Sequence, residues 1–181
     1  MPNWAWGTVE TTGTMDAVLA FSKRFIADDD EKKTGREKFF ARSFLNESRE
    51  RVENNILSGF TDAAPDEEKQ YDFYVDFAWS AYSCVVDGYP QQSDGQCITL
   101  EEACAEDGVD VVITTKEPGM YFEERLCCTR DGELTNECAQ LRPVRCRNCG
   151  YIESIASFES ADDMECCECG SCGFENIEME D

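Results

Sequence analysis

The segment "QYDFYVDFAWSAY" at residues 70–82 carries the clearest indication of the fold in this chain. Its apolar and aromatic side chains fall on alternate positions, at Tyr71, Phe73, Val75, Phe77 and Trp79. A spacing of two is typical of a strand that buries one face and turns the other towards solvent. The segment therefore predicts a strand in a sheet that packs against a second layer.

Further strands and helices alternate on both sides of this segment. The apolar pattern predicts other strands at 4–12, 109–117 and 120–130, with a weaker strand signal at 38–44. Helical spacing predicts helices at 14–26, 46–57 and 99–108, and Asn46 is the predicted N-cap of the helix at 46–57. The order of these elements predicts an α+β fold: a ferredoxin-like antiparallel sheet with helices on one face.

The third helix has the strongest end signals. Thr99 and Glu102 have the T-x-x-E spacing of a capping box, and Gly108 is placed to end the helix. These local signals predict a short helix with both ends defined.

The 12 cysteines and the absence of histidine limit the chemistry of any metal site. The start of the chain has no basic segment followed by an apolar one, so we expect no signal peptide and a cytoplasmic protein. In that compartment, cysteines indicate thiolate and metal chemistry more than disulfides. A zinc site would have to use cysteine alone or cysteine with carboxylate.

The segment "CRNCG" at 146–150 has the C-x-x-C-G pattern of a zinc knuckle. The second knuckle lies in "ECCECGSCG" at 165–173, where the spacing allows either Cys166 with Cys169 or Cys169 with Cys172. An aromatic residue and a predicted strand follow Cys172, as they follow the first knuckle, and this favours the second choice. The predicted ligands of one structural Zn²⁺ are therefore Cys146, Cys149, Cys169 and Cys172. A site that uses Cys166 or Cys167 is the alternative, and iron is the alternative ion.

The other cysteines have no such spacing. A second metal site could be drawn from Cys104, Cys127, Cys128 and Cys138, but no C-x-x-C pair supports it. The preferred interpretation is that these cysteines are small, buried apolar side chains.

The chain as a whole is predicted to form two domains: an α+β domain at 1–140 and an acidic zinc ribbon at 141–181.

Three short motifs resemble those of a known family. "MPNW" at 1–4, "AWS" at 78–80 and "DVVITTKEPGMYFEERLCCTRDGEL" at 110–134 are similar to the YubB-type ferredoxin-like domain. The resemblance covers about residues 1–135 in patches, matches 20–70 poorly and does not include the cysteine-rich end. It implies a ferredoxin-like fold and an origin on a plasmid, phage or other mobile element, but no established activity. Ala81 and Tyr82 follow "AWS" where the family commonly has proline.

The net charge of −23 bears on the class of partner. Residues 23–51 hold nine of the 16 basic residues, whereas 148–181 holds ten acidic residues and no basic one. Such a surface repels nucleic acid and attracts basic partners. Without histidine, the common Ser-His and Cys-His sites are excluded, and no phosphate-binding glycine motif occurs. We therefore predict a protein that is not an enzyme, with no catalytic residues.

The charge, the size and the resemblance together predict a DNA-mimic inhibitor of a host defence nuclease, of the anti-CRISPR or anti-restriction kind. Its partner would be a basic nucleic-acid-binding protein, and neither direct DNA binding nor membrane binding is expected. The alternative is a zinc-ribbon adaptor that contacts nucleic acid or transcription machinery through 23–51. A third hypothesis is an acidic protein that is adapted to high salt.

Overall fold

The computed structural model describes residues 3–27, 38–87, 97–117, 119–156 and 160–177. The chain divides into two compact units. Unit 1 comprises Met1–Glu117 and Glu124–Glu137, and unit 2 comprises Pro118–Glu123 and Cys138–Asp181.

Unit 1 contains a mostly antiparallel sheet. Its strands are β1 (Trp4–Gly13), β2 (Ser43–Leu45), β3 (Lys69–Ala78), β4 (Asp110–Glu117), most of β5 (Phe122–Cys128) and the first part of β6 (Leu134–Cys146). The spatial order is β2-β3-β1-β4-β5-β6, and β1 lies antiparallel between β3 and β4. The predicted strand at 70–82 is β3, and it ends at Ala78 because Trp79 takes a positive φ of 83°.

Four helices accompany this sheet: α1 (Met15–Ser22), α2 (Arg49–Gly59), α3 (Ala81–Val85) and α4 (Leu100–Asp107). Helix α1 contacts both α2 and α4. Alternate residues of the strands, such as Val9, Phe73 and Val75, are buried in the core together with Val18 and Phe21 of α1. None of the helices formed by the described residues has the length and apolar character needed to cross a membrane.

The predicted α+β class with an antiparallel sheet is confirmed. Strands β1 and β2 are both antiparallel to β3, so they run parallel to each other with β3 between them. This is a split β-α-β arrangement. However, α2 separates β2 from β3, and β5 and β6 extend the sheet beyond the four strands of a ferredoxin-like unit. The ferredoxin-like topology therefore stays a prediction.

Helix α4 shows the predicted capping box in full. The Thr99 hydroxyl accepts a hydrogen bond from the Glu102 backbone N–H at 3.3 Å, and the Thr99 backbone N–H donates to Glu102 Oε2 at 3.2 Å. At the other end, Gly108 adopts a left-handed φ of 71°, which favours glycine.

We expect Thr99→Ala to lower the free energy of unfolding by about 1 kcal/mol, because the first turn of α4 loses a side-chain acceptor. Urea denaturation measures the change. Thr99→Ser keeps the hydroxyl and is the matched control. Equal midpoints for the alanine and serine variants would contradict a stabilising cap.

Candidate metal centre

Unit 2 is a small antiparallel sheet that carries two cysteine turns. The last part of β6 pairs with β7 (Ile152–Ala156) on one side and with β8 (Phe174–Asn176) on the other. Among the described residues of unit 2, one buried apolar cluster contains Val144, Cys146, Ile155, Cys166 and Phe174. Because this cluster is small, its burial contributes little to the free energy of folding. A bound ion would therefore contribute much of the stability of this unit.

Four sulfur atoms converge at one end of this sheet. The Sγ atoms of Cys146, Cys149, Cys166 and Cys169 all lie within 4.8 Å of one another. The distance is 3.7 Å between Cys146 and Cys169 and 3.6 Å between Cys149 and Cys166. Zn–S bonds of about 2.3 Å in a tetrahedron place sulfurs about 3.8 Å apart, whereas a disulfide needs about 2.05 Å. The four free thiols can therefore hold a metal ion.

The first knuckle is a tight turn at Cys146. The backbone N–H of Gly150 donates to the carbonyl of Cys146 at 3.0 Å, and the N–H of Cys146 donates to the carbonyl of Tyr151 at 2.7 Å. Gly150 has a φ of 78°, which a residue with a Cβ rarely adopts. The glycine after the second cysteine thus lets the chain turn back while both sulfurs stay on one side.

The second knuckle repeats this geometry at Cys166. Gly170 N–H donates to the carbonyl of Cys166 at 2.8 Å, and Cys166 N–H donates to the carbonyl of Ser171 at 3.0 Å. Gly170 has a φ of 67°. The two turns are therefore equivalent, one at "CRNCGY" and one at "CCECGS".

The structure brings three of the four predicted ligands, Cys146, Cys149 and Cys169, together with Cys166, and it places the fourth, Cys172, outside this cluster. Cys172 forms an antiparallel bridge with Glu165, outside the turn. The corresponding pair at the first knuckle is Arg145 with Ile152. Cys172 is thus the counterpart of Ile152, a residue of the departing chain, and it is exposed. The C-x-x-C-G pattern at 166–170 also indicated Cys166 in the sequence. The aromatic residue and predicted strand after Cys172 favoured Cys172 over it.

Backbone and side-chain donors favour the thiolate at two of the four sulfurs. The backbone N–H of Cys149 donates to Cys146 and lowers the pKa of the Cys146 thiol. The backbone N–H of Ser171, followed by the side chain of Asn148, lowers the pKa of Cys169 to about 6. Asn148 Nδ2 lies 3.6 Å from Cys169 Sγ, so a donor of the first knuckle reaches a sulfur of the second.

The other two thiols are shifted in the opposite direction. The backbone N–H of Tyr151 favours the Cys149 thiolate, but burial and hydrogen bonds to the other sulfurs raise the pKa of Cys149 to about 12. Burial is the largest cause of the raised pKa of Cys166. A divalent cation among these sulfurs would favour the thiolate at all four of them.

Within the described part of the chain, the remaining cysteines do not form a second group of three or more side chains that could hold a metal ion. Cys104 and Cys128 are buried, and a hydrogen bond between their thiols raises the pKa of Cys104 and lowers that of Cys128. Burial raises the pKa of Cys84 to about 12. Cys127 is half-buried and Cys138 is exposed.

Comparisons of the chain with protein-family models, with curated proteins and with solved structures gave no significant match. The resemblance to the YubB-type family therefore stays a prediction from short motifs.

Proposed function

We propose that unit 2 is a zinc ribbon with one structural Zn²⁺ held by Cys146, Cys149, Cys166 and Cys169. The tetrahedral sulfur spacing and the two equivalent knuckles support this assignment. Four thiolates close the coordination shell of zinc and leave no position for a substrate. The ion would thus stabilise the unit and would not act as a catalyst.

For the whole chain, we propose a protein without enzymatic activity that presents negative charge to a basic partner. The observation that carries this proposal is that several arginine side chains are buried or form ion pairs with acidic residues of the same chain. Arg24 is buried, and its Nη2 lies 2.7 Å from Asp107 and 3.1 Å from Glu106. Arg49 is also buried and donates to the carbonyl of Phe25 at 2.7 Å.

Other arginines are paired at the surface. Arg130 forms ion pairs with Glu68 at 2.6 Å and with Asp110 at 2.7 Å. Arg147, in the first knuckle, forms an ion pair with Asp162 at 2.7 Å. These basic groups therefore neutralise acids of the same chain and are less available to a phosphate backbone.

Acidic side chains remain at the surface around the cysteine turns. The exposed ones in this part of unit 2 include Asp163, Glu165, Glu168 and Glu175. A cluster of this kind attracts basic surfaces and increases the rate of association with them.

The specific function that we propose is that of a DNA-mimic inhibitor of a host defence nuclease, of the anti-CRISPR or anti-restriction kind. The net charge, the size and the mobile-element resemblance support it.

The adaptor alternative needs a basic surface at 23–51. Arg24 and Arg49 are buried, which argues against such a surface. Lys32, Lys33 and Arg36 belong to the same segment and lie outside the described residues. A gel-shift titration of the metal-loaded protein with DNA and with RNA distinguishes the two functions, since the adaptor would bind and the mimic would not.

We expect this protein to reduce DNA binding by a susceptible nuclease, because its carboxylates compete with phosphates for the same basic groove. The measurement is a gel shift with a panel of purified CRISPR effectors and restriction endonucleases. The inhibition should weaken as salt shortens the Debye length from about 10 Å at 0.1 M to about 3 Å at 1 M.

A pair of variants controls for charge. Asp163→Asn with Glu175→Gln should weaken inhibition severalfold, whereas Lys23→Gln, at an exposed position, should not weaken it. Inhibition that is unchanged by salt and by the double substitution would rule out charge mimicry.

A further inference from the structure

The face of the unit 1 sheet that is turned away from the core carries exposed aromatic side chains. Ala5 and Val9 of β1 are buried, whereas Trp4 and Trp6, at the alternate positions, are 45% and 52% exposed. Tyr74 of β3 lies on the same face and is 60% exposed. Exposed large apolar side chains that cluster in this way mark an interaction surface more often than scattered ones do.

The strand register gathers these rings around one carboxylate. Trp6 of β1 and Phe44 of β2 both lie directly opposite Asp76 of β3. Tyr74 is two residues from Asp76 and so shares its face. Trp4 contacts Phe44 edge-on, with ring centroids 5.7 Å apart. We call Trp4, Trp6, Phe44, Tyr74 and Asp76 the aromatic platform.

The platform borders a shallow groove of about 440 Å³, lined by Trp4, Phe44, Leu45, Asn46 and Asp76. Asp76 is half-buried, and this desolvation raises the pKa of its carboxyl. A carboxylate in such surroundings gains more from a cation than a fully hydrated one does.

Further along the same face, two acidic residues lie directly opposite each other. Glu10 of β1 pairs in register with Asp72 of β3. Gln70 donates to Glu10 at 3.2 Å and to Asp72 at 3.3 Å. Like charges at directly opposed positions are destabilising, and a bound cation would reverse the sign of that contribution.

The charges on this face select among possible ligands. Nucleobases also stack on exposed aromatic rings, but their phosphates would meet Glu10, Asp72 and Asp76. Lys116, opposite Trp6 on β4, lies on the side away from Asp76. A planar cation fits better, since a guanidinium group both stacks on tryptophan or tyrosine and pairs with a carboxylate.

We propose that the aromatic platform binds arginine side chains of a basic protein segment. This inference rests on the proposed function as a binder of basic partners, and it names the surface and the side chain that such a partner would use. Arginine is placed against Trp6 and Asp76, and neighbouring basic residues of the same segment are placed near Glu10 and Asp72.

The test is calorimetric titration of the full, metal-loaded chain with three probes: an arginine-rich peptide, a lysine-rich peptide of equal length, and oligothymidine. We expect the arginine peptide to bind tightest and oligothymidine not to bind. Trp6→Ala, Tyr74→Ala and Asp76→Asn should each weaken the arginine complex about three- to tenfold, as expected for a stacked or paired cation at a surface.

Two control variants make comparable substitutions on unit 1 at positions outside the aromatic platform. Asp62→Asn removes one exposed carboxylate, and Leu57→Ala removes one apolar side chain that is 45% exposed. Neither should change the affinity by more than about twofold. Circular dichroism confirms that each variant folds.

The outcomes separate this inference from the proposed function. If the platform variants weaken binding no more than Asp62→Asn does, the inference fails, while nuclease inhibition still supports the proposed function. If neither basic peptide binds and no nuclease is inhibited, both fail. Equal affinity for the lysine peptide overturns the assignment to arginine. Oligothymidine binding that Trp6→Ala abolishes would make the platform a nucleic-acid surface.

Discussion

Replacing Cys166 by serine will abolish tight zinc binding, whereas replacing Cys172 by serine will leave one zinc ion per chain. Cys166 lies in the four-sulfur cluster with its Sγ 3.6 Å from that of Cys149. Cys172 lies on the departing chain, bridged to Glu165. Elemental analysis of purified protein, followed by titration of zinc against a chromogenic chelator, measures both the stoichiometry and the affinity.

Cys167→Ser is the matched control, because Cys167 is an exposed neighbour of Cys166 that lies outside the cluster. It should bind zinc as the wild-type protein does. Loss of zinc in Cys172→Ser but not in Cys166→Ser would restore the ligand set that the sequence favoured. Strong visible absorption with iron in place of zinc would change the ion and keep the ligands.

If unit 2 holds the proposed zinc ion, we expect its removal to unfold this unit. Structural zinc contributes about 10–16 kcal/mol of apparent binding free energy in small zinc-binding peptides, which is folding free energy when the core is small. Among the described residues of unit 2, the buried apolar cluster holds five residues, and two of them, Cys146 and Cys166, are proposed ligands. Hydrogen exchange with and without chelator should show loss of protection in β7 and β8, with retention in β1 and β3. Unchanged protection in β7 and β8 would mean that the ion is not needed for this fold.

Phe25→Ala will destabilise unit 1 by about 3–5 kcal/mol, the usual cost of removing a buried phenylalanine. Phe25 is 1% exposed. Its ring centroid lies 5.0 Å from that of Phe40, 5.3 Å from that of Phe73 and 6.3 Å from that of Phe77. Because it joins the α1 end of the chain to β3, its loss leaves a cavity that several neighbours must fill.

Urea denaturation followed by tryptophan fluorescence measures this change on metal-loaded protein. Tyr74→Ala is the comparison, since an exposed aromatic at 60% should cost no more than about 0.5 kcal/mol. Phe25→Leu, which leaves a smaller cavity, should fall between the two. A cost below about 1 kcal/mol for Phe25→Ala would show that the ring cluster adapts to the cavity.

Helix boundaries show where local patterns were insufficient. The pattern predicted a first helix at 14–26, but α1 ends at Ser22, and Ile26 instead bridges to Phe44 of β2. The second helix begins after Ser48, whose side chain accepts from Arg51 N–H, and not after Asn46. In both cases the helix and the competing structure are close in local propensity, so a contact with β2 or a cap two residues later decides the boundary.

Local chemistry in the chain was enough to predict the long strand β3, the capping box of α4 and the first C-x-x-C-G turn at Cys146, because each depends on residues within one turn or one strand. Long-range packing made the remaining choices. Alternation predicts that the Phe73 side of β3 is buried, but not which strands flank β3, so the placement of Trp6 and Phe44 opposite Asp76 required the folded unit. Likewise, spacing admits either Cys166 or Cys172, and the pairing of Glu165 with Cys172 selects Cys166 because it places Cys172 beyond the turn.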